Sequence, residues 1–283
     1  MAEAKPRVLK TVLRRFTNLA SLIHILQTKS ITLLNPAAWD DKNDAHFMAE
    51  YKRKVDAQTV LALCFTQSQE TYHHWRVFSG GPNGVCIDFL RSPLVKMFDN
   101  ADGVTARYVS YKMLGDIKRG DRIDVVDLPF LKRAPYTDEM EYRAVYVSKN
   151  EDLDSLDLPF DLSWIKSITL SPWMPPVQKE SVKQTLKSIP GCSDLKIVRS
   201  SLIENATWRK MAAEAAAMTA TPATPAERCS LAAFRRVRLA MACEALCARV
   251  SDAGHCLIFL GAGPAFSPVH SPRAAAPRQP VRP

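Results

Sequence analysis

Residues 136–147 read YTDEMEYRAVYV, and Glu139, Glu141 and Arg143 recur there at every second position. On an extended strand this period places both carboxylates, the guanidinium, Val145 and Val147 on one face. Met140, Tyr142, Ala144 and Tyr146 fall on the other. Such a face can be a salt-bridged solvent surface or the floor of an active site. A second acidic group, Asp40, Asp41, Asp44 and Glu50, supplies the hard oxygen ligands that a metal-dependent nuclease would use. It is local in sequence, and no distant carboxylate motif joins it, so no metal is expected. His73 and His74 are adjacent and cannot form the i, i+4 pair of a metal-binding helix. The turn SGGPNG at 79–84 lacks the spacing of a phosphate loop, and there is no G-x-S-x-G elbow.

The flanking pattern says what must position these residues. Residues 7–17 read as a first strand. Residues 18–30 follow as a helix capped by Asn18 or Thr17, with Leu19, Leu22, Ile23 and Leu26 on one stripe. A short strand at 31–36 runs into a loop and then a helix over 45–55. Residues 59–67 form a continuous apolar strand. The stretch TYHHWRVFSGG predicts a short helix ended by Gly80 and Gly81, and strands follow at 84–89 and 106–112. Beyond the opening motif come a strand near 164–172, a helix over 175–189 opened by prolines, and a strand at 195–203. Strands outnumber helices and do not alternate regularly with them, which predicts an α+β fold. Its expected form is mixed, largely antiparallel sheets around a central cleft, with helices packed on them.

Composition limits the function classes. The chain has 283 residues and a formal charge of +9, but residues 209–283 carry nine Arg and one Lys against four acids. The body, 1–208, is left with only +3, so nucleic acid is not indicated as a partner. Ala supplies 20 of the last 75 residues, and the end is rich in Pro and Arg. We therefore expect one α+β domain over 1–208 and an Ala/Arg/Pro-rich appendage over 209–283, partly disordered or non-native in origin, in which 231–250 could form a helix. No run of about eighteen apolar residues predicts a membrane span, and the N-terminus lacks the apolar core of a secretory signal. A cytoplasmic location is the expectation. The seven cysteines show no C-x-x-C or metal-ligand spacing, so disulfides are not expected.

Taken in order, several stretches resemble a bacterial family known only as domain of unknown function 2971. The matching positions are Asn43–Asp44 in a loop, Cys64–Phe65–Thr66 ending a strand, Trp75, Gly84 to Ile87, and Glu139, Glu141 and Arg143. Tyr136 stands where that family usually has Trp, Thr66 where it has Ser, and Ala45 where Pro is frequent. The resemblance spans about residues 10–205 and names no activity.

A basic residue on the first strand, a Ser/Thr-ending strand and a later Glu-x-Glu are also similar to the mono-ADP-ribosyltransferase pattern. That resemblance implies NAD as substrate, with Arg15 or Arg14 holding it and Thr66 supporting the nicotinamide ribose. Glu141 would be catalytic, stabilising the oxocarbenium-like sugar cation formed as nicotinamide leaves. Glu139 would orient or deprotonate the acceptor. Trp75 or Tyr72 would stack on a ring of the substrate, and Arg143 would hold Glu141. Asn43 and Asp44 have supporting places in the motif. The implied reaction is transfer of ADP-ribose to a macromolecule or to water, in a toxin or phage-defence setting. The alternatives are a non-enzymatic binding or regulatory module with a structural Glu-rich strand, and the nuclease based on the Asp-rich loop.

Overall fold

A computed structural model of the chain describes residues 11–118 and 122–219. The chain divides into two compact units, Met1–Met211 and Ala212–Pro283; the fold below is that of the first, except that the range of its last helix continues past Met211. Residues 7–10 of the expected first strand and the expected tail helix at 231–250 lie outside the described residues.

Strand β1 (Val12–Asn18) leads into helix α1 (Leu19–Thr28). The Asn18 side chain accepts a hydrogen bond from the Ser21 amide, satisfying one of the free donors of the first turn. Leu22, Ile25 and Leu26 of α1 are buried. Strand β2 (Ser30–Leu34), helix α2 (Lys42–Lys54), strand β3 (Thr59–Thr66) and helix α3 (Tyr72–Phe78) follow. Strand β4 (Gly84–Leu90) is succeeded by α4 (Arg91–Asp99), β5 (Val104–Tyr108), β6 (Ser110–Lys112), α5 (Leu114–Lys118) and β7 (Leu131–Arg133). The remaining elements are β8 (Glu141–Ser148), β9 (Ser155–Pro159), β10 (Ile165–Leu170), α6 (Pro176–Ser188), β11 (Ile197–Arg199) and α7 (Ala206–Thr219). Sequence pattern did not separate out α4 or β9.

Among the described residues, nine strands form one sheet, largely antiparallel, along the path β11-β10-β4-β1-β3-β2-β9, with β8 on β3 and β5 on β8. Only β10 and β11 run parallel in it. This is the expected α+β class. The main core joins α1, β1, β3, β4, β8 and β10 through Leu13, Leu22, Leu63, Phe65, Ile87, Phe89, Ala144 and Ile168. A smaller cluster of Met48, Val60, Ala62, Phe130 and Val145 seats α2 on the opposite face of β3 and β8.

The sheet is not continuous across its middle. Strands β3 and β8 pair along their whole length, Thr59↔Ser148 to Thr66↔Glu141, which occupies one edge of β3. The other edge meets β1 only at Arg14↔Thr66 and β2 only at Leu34↔Ala62. Between these two contacts β1 and β2 diverge, and among the described residues Leu63 to Phe65 have no strand partner on that side. A backbone edge opened within a sheet needs other hydrogen-bond partners. Here the opening becomes a cleft.

The stretch 136–147 departs from expectation. It is not one strand: Ala134–Glu139 is a 3-10 turn, and the strand begins only at Glu141. Met140 between them has φ 44°, a left-handed conformation that interrupts the strand alternation. Glu139 and Glu141 therefore reach the same place from two differently oriented pieces of backbone.

Candidate active site

A cavity of about 630 Å³ opens where β1 and β3 part. Arg14 and Arg15 of β1, Ala62 to Thr66 of β3, Trp39 to Asp41 and Asp44 at the start of α2, and His73, His74, Val77 and Phe78 of α3 line it. Lys132, Tyr136, Glu139, Glu141 and Arg143 complete the wall. Cavities of this size suit small-molecule ligands.

Its floor is a buried charge network. Arg143 is fully buried and directs Nε and Nη2 at the two oxygens of Glu141, 2.7 and 3.0 Å away. Nη1 and Nη2 also reach Asp44 Oδ1 and Oδ2 at 2.9 and 2.7 Å, and Nη1 donates to the Pro129 carbonyl. The planar guanidinium suits two-point contact with each carboxylate. Lys132 Nζ lies 2.6 Å from Glu139 Oε2, 3.3 Å from Glu141 Oε2 and 3.7 Å from Asp44 Oδ2. Three buried acids thus face two cations. Such a set is tolerable in a low-dielectric interior only because each charge is paired and hydrogen-bonded.

The pairing separates the two glutamates chemically. Burial alone would raise the Glu141 pKa, but Arg143 and Lys132 overcome it and hold Glu141 at about 2. Near neutral pH it is an ionised carboxylate, held in place by the two cations. Burial dominates at Glu139 and raises its pKa from the ordinary glutamate value, with Lys132 opposing. Its Oε1 stands 4.0 Å from Nε2 of His73, on the exposed side of the cavity. Two carboxylates with divergent proton affinities are what a site needs to divide charge stabilisation from proton transfer.

Thr66 acts on this arrangement through backbone. Its hydroxyl donates to the Glu139 carbonyl and accepts from the Ser68 amide, while the Gln67 amide donates to the Met140 carbonyl. The Glu141 amide donates to the Tyr111 hydroxyl. These bonds pin the turn carrying both glutamates.

The two arginines of β1 differ. Arg14 is paired with Asp88, Nε to Oδ1 at 2.8 Å, and Asp88 also accepts from Ser167. Among the described residues Arg15 has no carboxylate partner: Nη1 donates to the Cys64 carbonyl on the unpaired edge of β3, and the buried Nε has no hydrogen-bond partner. Burial lowers the Arg15 pKa, the expected response to taking a cation out of water without a counter-charge.

Of the residues expected from sequence, Glu139, Glu141, Arg143, Asp44, Thr66, Arg14 and Arg15 do converge on this cavity. Trp75 does not. It is fully buried between Phe16 and Cys86, with Nε1 on Glu70, so its ring is part of the core and unable to stack on a ligand. Tyr72 is exposed outside the cavity, edge-on to Trp173 and bonded through its hydroxyl to Arg76. The aromatic rings that do face the cavity include Trp39, stacked near the Arg143 guanidinium, and Tyr136, beside Lys132 Nζ. Asn43 is exposed and bonds to Asp41, whose carboxylate caps α2. Asp44 is held by Arg143 and Glu50 by Arg53. Among the described residues, no group of three or more His, Cys, Asp or Glu side chains is placed to hold a metal ion.

Lys132 was not legible as a site residue. Its only sequence signal is that a buried Glu-x-Glu and a distant Asp leave an excess of negative charge over Arg143 alone. Among the described residues no helix is long and apolar enough to cross a membrane.

No protein-family model matches the chain, so the motif likeness to domain of unknown function 2971 has no such match behind it. No curated protein matches either. Among solved structures the chain is similar to Thermus sp. 2.9 DarT in complex with NAD+, with 13% identity and a TM-score of 0.36 over 70% of this chain and 98% of that one. A second structure, Thermus sp. 2.9 DarT in complex with carba-NAD+, shows 11% identity and a TM-score of 0.34 over 70% of this chain and 97% of that one.

Proposed function

We propose that the cavity binds NAD and that the protein transfers ADP-ribose from it to a macromolecular acceptor or to water. The observation that carries this reading is one cavity lined both by an arginine without an acidic partner among the described residues, Arg15, and by a carboxylate pinned by Arg143, Glu141. Arg15 has free N–H donors for the pyrophosphate. When the nicotinamide–ribose bond breaks, nicotinamide leaves with the bonding electrons and positive charge develops at the sugar. Glu141, unable to accept a proton near neutral pH, stabilises that charge without reorganising. The acceptor then forms the new bond to the sugar carbon, and its proton passes to Glu139, the more basic carboxylate. A toxin or phage-defence setting belongs to the same proposal.

The test is incubation with NAD labelled in the nicotinamide ring, with Glu141→Gln as control. Release that depends on Glu141 supports the reading; no release with any acceptor sinks it. A second reading, a binding module without catalysis, has its own support: both Glu141 oxygens are already engaged by Arg143 and Lys132. Under that reading Glu141→Gln would lower stability and leave ligand affinity unchanged.

A further inference from the structure

His74 is almost completely buried, yet it lines the cavity, and among the described residues its Nε2 has no hydrogen-bond partner. An unsatisfied buried donor or acceptor is costly and calls for a reason. Its other ring nitrogen is engaged: Nδ1 lies 2.6 Å from the Thr71 hydroxyl. That hydroxyl oxygen already accepts from the His74 amide, as the cap of α3, and so is free to donate its own proton to Nδ1. The ring is then the tautomer with hydrogen on Nε2, a donor. The Glu139 carbonyl, which accepts from the Thr66 hydroxyl, is the backbone acceptor nearest in effect to this ring, but it lies outside hydrogen-bond geometry with Nε2. The ring itself is fixed, stacked on Phe16 with centroids 5.2 Å apart and planes 21° from parallel.

We infer that His74 is a ligand-binding residue, whose Nε2–H donates to an oxygen of the molecule held in the cavity, alongside the unpartnered Arg15 Nε–H. The ligand class is a neutral or anionic oxygen acceptor, such as a ribose hydroxyl or phosphate oxygen. Burial supports this role by keeping the ring neutral, with a pKa of about 4; His73 adds to the effect and the Glu139 carbonyl opposes it. The inference rests on the NAD reading for the identity of the ligand.

The test is calorimetric titration of the full chain with NAD, ADP-ribose and nicotinamide, using His74→Phe and His74→Gln. Phenylalanine keeps the stacked ring and removes the donor; glutamine restores a donor on a similar reach. NAD should bind His74→Phe about 5- to 10-fold more weakly than wild type, the range of one neutral hydrogen bond. His74→Gln should recover part of the loss. ADP-ribose should show the same loss and nicotinamide none. Unchanged NAD affinity in His74→Phe, with wild-type binding intact, overturns the role of His74 and leaves the NAD reading standing. Failure of wild type to bind any of the three probes overturns both. A melting temperature unchanged between His74→Phe and wild type, together with weaker binding, excludes a loss through misfolding.

Discussion

Arg143 and Asp44, 99 positions apart, are joined by two parallel hydrogen bonds in a site where Arg143 has no solvent exposure. The pair ties the first turn of α2 to β8 across the floor of the cavity. Removing Asp44 leaves Glu141 to balance the Arg143 charge but strips two buried guanidinium donors of their acceptor, a loss of about 1–3 kcal/mol. Asp44→Ala should therefore lower the denaturant midpoint substantially in equilibrium unfolding. Asn43→Ala, one residue away but exposed, should change stability by less than about 1 kcal/mol.

Arg14 and Arg15 should separate in the same way. Arg15→Ala should weaken NAD binding on the order of 10- to 100-fold, the scale of a lost charge-assisted contact, with little change in melting temperature. Arg14→Ala leaves Asp88 without its guanidinium. It should mainly destabilise the fold. Isothermal titration beside thermal unfolding distinguishes the two.

Lys132 sits among Glu139, Glu141 and Asp44. Lys132→Met should raise the Glu139 proton affinity further, because the cation opposing that rise is gone. The base form of Glu139 would then appear only at higher pH. The rising acid limb of ADP-ribose transfer should move to higher pH, which a pH–rate profile of the variant reads directly. A limb that stays in place would remove Glu139 from proton transfer.

Acid stability follows from two depressed pKa values. His74 is about 4 in the folded protein against an ordinary 6.5, so the unfolded chain binds the extra proton first. Its contribution is full above pH 6.5 and is lost as pH falls through 4, on the order of 3 kcal/mol. Glu141, about 2 against 4.5, contributes fully above 4.5 and is lost only as pH approaches 2. Chemical unfolding between pH 7 and 4.5 should therefore show a decline that His74→Phe flattens and Glu141→Gln does not.

Tyr72→Ala should leave NAD affinity unchanged, because the ring lies outside the cavity against Trp173. Tyr136→Ala and Trp39→Ala should each reduce affinity when measured by the same titration, since both rings line the wall beside the charged floor.

Much of the framework is written locally. The apolar run of β3, the Asn18 cap and the buried stripe of α1 follow from residue type and spacing, because each depends on neighbours within a few positions. Glu139, Glu141, Arg143, Thr66 and the β1 arginines could be singled out for the same reason: they sit at ordered places in recognisable segments. The aromatic assignments failed because a tryptophan in an amphipathic segment reads alike whether it fills a core or faces a ligand. Trp75 fills the core, while Trp39 and Tyr136, on irregular turns, face the cavity.

The α+β class, most of the strands and helices that carry the site, and the charged residues from which it is built are written in local pattern. How those charges are used is set by the folded arrangement. It breaks the expected strand at Met140, brings Asp44 to Arg143, places Lys132 among three acids and leaves Arg15 without a counter-charge. The physical reason is that local periodicity fixes which way a side chain faces. The charge state and freedom of a buried group depend on partners tens of residues away, which no local pattern contains.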